Sequence, residues 1–141
     1  MTVTELVQKS VDEWNRKDKK KFIGNFTESS KIIGPDGTVV HGLQGVEEFW
    51  ELWQGAFADN KGTIKDIFGA GDRAYAQLTV EATHTGTLHL ANSRQIPATG
   101  RHTSLSVTQV HTIHHSKFMI SRISFDQFEL FTQLGLIPVA H

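Results

Sequence analysis

The chain of 141 residues contains no cysteine, which excludes a disulfide framework and thiol catalysis. Its charges are almost balanced, because 14 Lys and Arg residues stand against 15 Asp and Glu residues and leave a formal charge of −1. Proteins that bind nucleic acids or anionic membranes need a basic surface, which this composition does not supply. We therefore expect no nucleic acid partner and no membrane partner.

Long hydrophobic runs are also missing, since no segment approaches the roughly 20 apolar residues that span a bilayer. The first residues, Met1-Thr2-Val3-Thr4-Glu5-Leu6, lack the basic segment and apolar core of a secretory leader. We therefore expect a cytoplasmic protein. The length and the 38% of hydrophobic residues predict a single domain over residues 1–141.

Two cofactor signatures are absent as well. The glycine phrases around Gly86 and Gly100 do not open a helix, as a phosphate-binding loop must. The eight His residues are scattered, and His111, His114 and His115 lie on one hairpin whose alternating faces separate their side chains. We therefore expect neither a metal nor another cofactor.

Apolar residues at helical spacing predict three helices in the first 60 residues. Thr4 is the expected N-cap of the first helix, and a second, short helix is predicted over 19–26. A third helix over 45–58 carries an aromatic stripe, which normally packs in a core. Trp50 and Trp53 on this stripe are more typical of a core, but both remain candidates for contacting a ligand. The stripe consists of Val46, Phe49, Trp50, Trp53 and Phe57.

Strand periodicity dominates after residue 60, and two short strands at 31–33 and 39–41 precede the third helix. One strand ends at His84 with its apolar face inward. Residues 102–114 and 117–125 form a predicted hairpin around His115-Ser116. Helices followed by antiparallel strands indicate an α+β fold.

Simple alternation along the hairpin decides which side chains are expected to share a face. It places Gln109 and His111 on the inner face together with Arg122, Ser124 and Asp126. The opposite face is a polar and apolar mixture that suits a homodimer contact through the sheet.

Several phrases of the chain resemble the SnoaL-like polyketide cyclase family of the nuclear transport factor 2-like superfamily. The resemblance implies a cone-shaped, curved antiparallel sheet wrapped around about three N-terminal helices, with an interior pocket and sheet-to-sheet dimers. It also implies that Asp126 is the general acid/base of an intramolecular aldol condensation. The segment 87–95 is longer than is usual in the family and is expected to border the pocket mouth. The phrases are Trp14-Asn15-Arg16-Lys17-Asp18, His41-Gly42, Gly71-Asp72-Arg73, Thr83-His84-Thr85-Gly86, Ile96-Pro97-Ala98-Thr99-Gly100-Arg101, Asp126 and Gln133-Leu134-Gly135.

Each candidate site residue has a functional and a structural interpretation. Asp126 is either a carboxylate at the rim of an apolar cavity, where desolvation raises its pKa toward that of a base, or the N-cap of a last helix beginning near Gln127. His84 either hydrogen-bonds substrate and shares a proton with Asp126, or is satisfied by nearby backbone. Arg122 either pairs with Asp126 or Glu81, or binds an anionic oxygen of the ligand.

We expect Ser124, Gln109 and His111 to contribute to the lining of the pocket. The leading hypothesis is a cofactor-independent cyclase or isomerase that binds an apolar carbonyl compound between the third helix and the sheet. Asp126 and His84 are its proposed acid/base groups. The alternatives are an epoxide hydrolase or dehydratase of the same fold, and a non-catalytic ligand-binding or dimeric interaction module.

Overall fold

The computed structural model describes residues 1–90 and 93–137. Four helices and eight strands are present in these ranges. In chain order they are α1 (Val3–Asn15), α2 (Lys19–Ile23), β1 (Phe26–Ile33), β2 (Val39–His41), α3 (Gly42–Ala56), β3 (Lys61–Ala70), β4 (Arg73–Thr83), β5 (Leu88–His89), β6 (Gln95–Ile96), β7 (His102–His114), β8 (Lys117–Ser124) and α4 (Gln127–Gln133).

The three predicted N-terminal helices are present with shifted ends. Thr2, not Thr4, caps α1, because its side chain accepts a hydrogen bond from the Glu5 N–H while the Glu5 side chain accepts one from the Thr2 N–H. The second helix ends at Ile23, and Phe26 already belongs to β1. The third helix begins at Gly42, three residues earlier than the stripe indicated.

Six strands form one sheet in the order β2-β1-β8-β7-β4-β3, and β5 and β6 pair separately. The sheet is curved and unclosed, which confirms the predicted α+β fold. One pair departs from the antiparallel expectation, because β1 runs parallel to β8. Parallel neighbours need a long crossover, and here α3 and strands β3 to β7 supply it.

The hydrophobic core lies between the helices and one face of this sheet. Alternate residues of β4, Ala74, Ala76, Leu78 and Ala82, are buried there as the period-2 pattern predicted. They pack with Leu6 and other residues of the helices in the larger of two apolar clusters, apart from Ala82, which joins the smaller one. The smaller cluster lies beside the end of α3 and includes the buried face of α4.

The β7–β8 hairpin contains a β-bulge that reverses part of the predicted facing. Ile113 pairs with Phe118, but Thr112 pairs with Ile120, so Met119 is the additional residue on β8. A shift of one residue exchanges the two faces of a strand beyond that point. Ser121 is therefore buried, whereas Arg122 and Ser124 are exposed on the outer face. The prediction that Arg122 and Ser124 face inward is wrong.

Candidate functional site

A cavity of about 140 Å³ lies between the helices and the inner face of the sheet. Its wall is mostly apolar and is contributed by α1, α2, α3, α4 and five strands of the main sheet. The apolar lining residues are Val11, Trp14, Phe22, Phe26, Ile32, Phe49, Trp53, Phe57, Gly62, Leu78, Val80, Ala82, Leu105, Val107, Phe118, Ile123, Phe125 and Leu130. The polar lining residues are Ser10, Asn60, Thr103, Gln109, His111 and Ser121.

Three of the polar lining residues form a continuous hydrogen-bonded row on β7 and β8. The His111 Nδ1 atom lies 2.8 Å from the Ser121 Oγ atom, and the His111 Nε2 atom lies 3.0 Å from the Gln109 Oε1 atom. Because the amide oxygen of Gln109 only accepts, His111 carries its proton on Nε2 and donates it to Gln109. The Nδ1 atom is then an acceptor for the Ser121 hydroxyl. Both bonds of the row thus run from Ser121 toward Gln109.

His111 is neutral in this environment. Its side chain is 4% exposed, and its ring packs on Phe118 with 4.3 Å between the ring centres. Burial disfavours the charged imidazolium and lowers the pKa of His111 to about 3. The ring is therefore a hydrogen-bonding group at neutral pH rather than a cation.

The Gln109 amide nitrogen is the open donor of the row, since it has no hydrogen-bond partner among the described residues. Other polar lining groups are satisfied within the protein. Ser10 donates to the Val7 carbonyl, Thr103 donates to the Ala82 carbonyl, and Asn60 donates to the Gln54 side chain. The cavity therefore presents the Gln109 amide N–H as a neutral donor to an oxygen of a bound molecule.

Asp126 does not line the cavity. Its side chain is exposed, and its Oδ1 atom accepts a hydrogen bond of 3.2 Å from the Glu129 N–H at the start of α4. This is the arrangement of an N-cap, the structural alternative that the sequence left open. Phe125, one residue earlier, points into the cavity instead.

His84 is fully buried outside the lining of the cavity. Its Nδ1 atom accepts a hydrogen bond of 3.2 Å from the Thr99 N–H, and its ring packs on Phe57. Within the described ranges, its Nε2 atom has no hydrogen-bond partner. Burial lowers the pKa of His84, and the Gly86 carbonyl opposes this effect more weakly. No hydrogen bond joins His84 to Asp126, so the predicted acid/base pair is not assembled.

The remaining predicted site residues divide into two groups. Trp53 lines the cavity, whereas Trp50 is a core residue whose ring contacts Trp14 and Phe22 at 5.0 and 5.2 Å. Arg122 forms no salt bridge among residues 1–90 and 93–137, so the expected pairing with Asp126 or Glu81 is absent there. It lies beside Val110 on the outer face of the sheet.

The long segment 87–95 does not border the cavity in its described part. Leu88–His89 and Gln95–Ile96 form the small β5–β6 hairpin, in which Leu88 and Ile96 are buried. Ala91 and Asn92 lie outside the described residues. No group of three or more His, Asp or Glu side chains that could hold a metal ion is found in the described ranges.

Ser121 and Phe125 are the site residues that sequence alternation missed. Alternation placed Ser121 on the outer face, but the bulge at Met119 turns it toward His111. One available signal was the change of parity along β8, where Phe118 is apolar at an even position and Ile123 and Phe125 are apolar at odd positions. Such a change is typical of a bulge.

A curved, unclosed sheet with helices over its inner face and an apolar cavity between them defines a nuclear transport factor 2-like fold. Within that class, the sequence profile of the SnoaL-like domain matches residues 7–119. The chain therefore belongs to the SnoaL-like domain family. None of the described helices is long and apolar enough to cross a membrane.

Solved structures agree with this assignment. A proposed SnoaL-like polyketide cyclase from Jannaschia sp. CCS1 superposes with a TM-score of 0.82 at 17% identity, covering 95% of this chain and 92% of that chain. TsrD from Streptomyces laurentii superposes with a TM-score of 0.79 at 23% identity, covering 96% of each chain. A Catenulispora acidiphila protein with a ketosteroid isomerase-like fold, in complex with trimethylamine, gives a TM-score of 0.79 at 12% identity and 96% coverage of both chains. No protein with a curated function matches the sequence significantly.

Proposed function

We propose that this protein is a small-molecule pocket enzyme that activates the carbonyl group of a small neutral compound for isomerisation or aldol-type cyclisation. The observation that carries the proposal is the row of Ser121, His111 and Gln109 in a mostly apolar cavity. A ligand pocket commonly combines apolar walls with a few polar groups that fix orientation.

Size and charge define the proposed substrate class. An apolar cavity of roughly 150 Å³ is known to accommodate benzene, so 140 Å³ suits a compound built on a single ring. No Lys or Arg is among the described lining residues, and an unpaired carboxylate would be costly to bury there. The ligand is therefore neutral, with one oxygen that accepts a hydrogen bond from the Gln109 amide nitrogen.

The chemistry proceeds through an enolate. The ligand carbonyl oxygen accepts a hydrogen bond from Gln109, whose amide oxygen in turn accepts from His111, and such chains polarise one another. The Ser121 Oγ atom takes the proton from the carbon beside the carbonyl as its own hydroxyl proton passes to His111 Nδ1. The electron pair of the broken C–H bond moves to the ligand oxygen, where Gln109 stabilises the developing charge.

A second candidate function is non-catalytic binding of the same class of ligand. One observation favours it. His111 is the sole titratable side chain among the described lining residues, and its pKa of about 3 makes it a weak proton acceptor. Asp126, the carboxylate that the family resemblance assigned to acid/base catalysis, lies outside the cavity.

Hydrogen–deuterium exchange of cyclohexanone tests the proposal directly. The protein is incubated with cyclohexanone in D₂O, binding is measured by NMR titration, and deuteration beside the carbonyl is followed by proton NMR. We expect binding with deuteration above the buffer rate. Ser121→Ala is expected to reduce deuteration at least about tenfold while binding is retained, since it removes the proton relay. Gln109→Leu is expected to weaken binding about fivefold or more, because it removes the open donor.

Arg122→Ala and Ser124→Ala are the matched controls, because both residues lie on β8 but face outward. They are expected to leave binding and deuteration unchanged. Cyclohexanecarboxylate, a ligand of similar size with a charge, is expected not to bind. Binding without deuteration would favour the second candidate, and a failure of every neutral ketone to bind would overturn both.

We also propose that the protein forms a homodimer through the outer face of the sheet. Val110 and Thr112 of β7 lie near the middle of this face, beside Tyr75 of β4 and Arg122 of β8. The exposed Phe68 and the half-buried Tyr75, with ring centres 4.9 Å apart, extend the face toward its β3 edge. Partly apolar sheet faces of this kind pack well against a second copy.

A further inference from the structure

The end of the cavity beside α4 is closed by residues that belong to α4 or immediately precede it. Leu130 of α4 is 3% exposed and lines the cavity. Phe125 also lines the cavity, and its ring meets the edge of the Trp53 ring with 5.6 Å between centres. Trp53 and Phe125 are only half-buried, so the contact between α3 and the end of β8 is a closure near the surface.

Few attachments hold α4 in this position. The Gln133 side chain bonds both the N–H and the carbonyl of Ser104 on β7, at 2.7 and 2.9 Å. The Gln127 side chain donates to the Pro35 carbonyl at 3.2 Å. The helix has only seven residues, and a helix of this length is not stable by itself in water. Its docking therefore depends on its cap and on the burial of Leu130 and Leu134.

Asp126 is placed to control that docking. It caps the first turn of α4, its negative charge suits the helix N-terminus, and it directly follows the cavity-lining Phe125. We propose that Asp126 is a positioning residue whose cap keeps α4 docked, so that α4 closes this end of the cavity. Ligands enter and leave when α4 undocks. Asp126 itself touches no ligand. This proposal rests on the proposed use of the cavity by a small ligand.

The decisive comparison is between substitutions that keep the cap and one that removes it. Asn and Ser cap helices about as well as Asp but lack its carboxylate, whereas Ala lacks both the cap and the carboxylate. In Asp126→Ala we expect amide hydrogen exchange in α4 to become about fivefold faster. Asp126→Asn and Asp126→Ser are expected to stay within about twofold of the unsubstituted protein.

Asp18→Ala is the matched control. Asp18 caps α2 through the same geometry, with its Oδ1 atom accepting a hydrogen bond of 3.2 Å from the Lys21 N–H. Its removal is expected to speed exchange in α2 and to leave α4 unchanged. The control separates the effect of losing any helix cap from the effect of losing the cap of α4, the helix that closes the cavity.

Ligand kinetics provide the readout that a merely structural role would not change. With cyclohexanone as the probe, NMR line shapes of the cavity-lining side chains report association and dissociation rates. In Asp126→Ala both rates are expected to rise about fivefold while Kd changes less than about twofold, because the cap is lost equally in the free and bound protein. Asp18→Ala is expected to leave both rates unchanged.

Three results would overturn the proposal. One is unchanged α4 exchange in Asp126→Ala, and another is faster α4 exchange with unchanged ligand rates. The third is a loss of deuteration in Asp126→Asn with normal α4 exchange, which would make the carboxylate a direct acid/base. If cyclohexanone does not bind at all, the proposed function fails. Benzene then replaces it as the probe of ligand entry past α4, because benzene needs only an apolar cavity.

Discussion

His111 couples the candidate site to the pH dependence of stability. Its pKa is about 3 in the folded protein and near 6.5 in the unfolded chain, so the unfolded chain binds more protons between these values. The contribution of His111 to stability is therefore greatest above pH 6.5 and falls as the pH decreases toward 3. We expect the His111 contribution to lower the free energy of unfolding by about 2 kcal/mol between about pH 7.5 and about pH 5, measured by urea denaturation.

His111→Phe removes the titrating group but keeps a flat ring beside Phe118. It leaves Ser121 and Gln109 without their partner, so the protein is expected to lose about 1–3 kcal/mol at neutral pH. The free energy of unfolding should nevertheless depend less steeply on pH. The dependence that remains comes in part from His84, whose pKa is also lowered. His114→Gln, at an exposed position of the hairpin, is the control and should keep the slope. An unchanged slope in His111→Phe would contradict the assignment.

Gly86 ends the motif Thr83-His84-Thr85-Gly86, and its surroundings explain why a glycine is needed there. A Cβ atom at this position would lie 2.0 Å from the Gly55 carbonyl oxygen, and the Gly86 N–H bonds the Ala56 carbonyl at 3.1 Å. Gly86→Ala is therefore expected to lower the free energy of unfolding by about 1–3 kcal/mol in urea denaturation.

Gly55 on the other side of this contact is the matched comparison. It lies in the last turn of α3 and is exposed, and a Cβ atom there would meet nothing within 4 Å. Gly55→Ala is expected to stabilise the protein by about 0.5–1 kcal/mol, because alanine favours the helix. Equal effects of the two substitutions would show that backbone approach at Gly86 is not what matters.

At the residue scale, the sequence indicated which side chains were candidates for the site but not which way each side chain points. Gln109 and His111 were predicted to line the pocket, and both do so in the structure. Asp126 was left open between a cap and a base, because both roles place a carboxylate at the end of a strand. The choice depends on which way one peptide unit turns, and that orientation depends on contacts distant in sequence.

At the scale of elements, the helices were more predictable than the strand faces. The aromatic stripe of α3 repeats over three turns, so an error at either end leaves its buried face unchanged. A strand is less tolerant, since a bulge of one residue at Met119 exchanges every later side chain of β8 between faces. The turn residues His115 and Ser116 adopt positive φ angles of 48° and 57°, a conformation that residue preferences do not favour.

The outer sheet face carries the prediction about assembly. Val110 is half-buried and lies directly across from Arg122 on β8. Val110→Glu would pair with Arg122 within one protomer and stay folded, but it would bury a charge in a sheet-to-sheet dimer. We expect the unsubstituted protein to be a dimer and the variant a monomer in light-scattering measurements. Identical molar masses for the two, with unchanged circular dichroism, would exclude this face as the interface.

At the scale of the whole molecule, the fold was predictable because its signals are redundant. Helical stripes, strand alternation and several separated phrases all indicate the same α+β architecture, so local errors at Thr4 or Phe26 do not change it. The volume of the cavity had no such signal. It is the space left after some twenty side chains from helices and strands have packed, and small differences in their packing alter it.

The cavity volume leads to a test that uses two alanines of the same strand and face. Ala82 lines the cavity, whereas Ala76 is fully buried in the close-packed core. Ala82→Leu is expected to extend into the 140 Å³ cavity, to abolish cyclohexanone binding, and to change the free energy of unfolding by less than about 1 kcal/mol. Ala76→Leu has no such space and is expected to cost about 1–3 kcal/mol. NMR titration and urea denaturation measure both effects. If Ala82→Leu still binds cyclohexanone with unchanged affinity, the ligand occupies another part of the molecule.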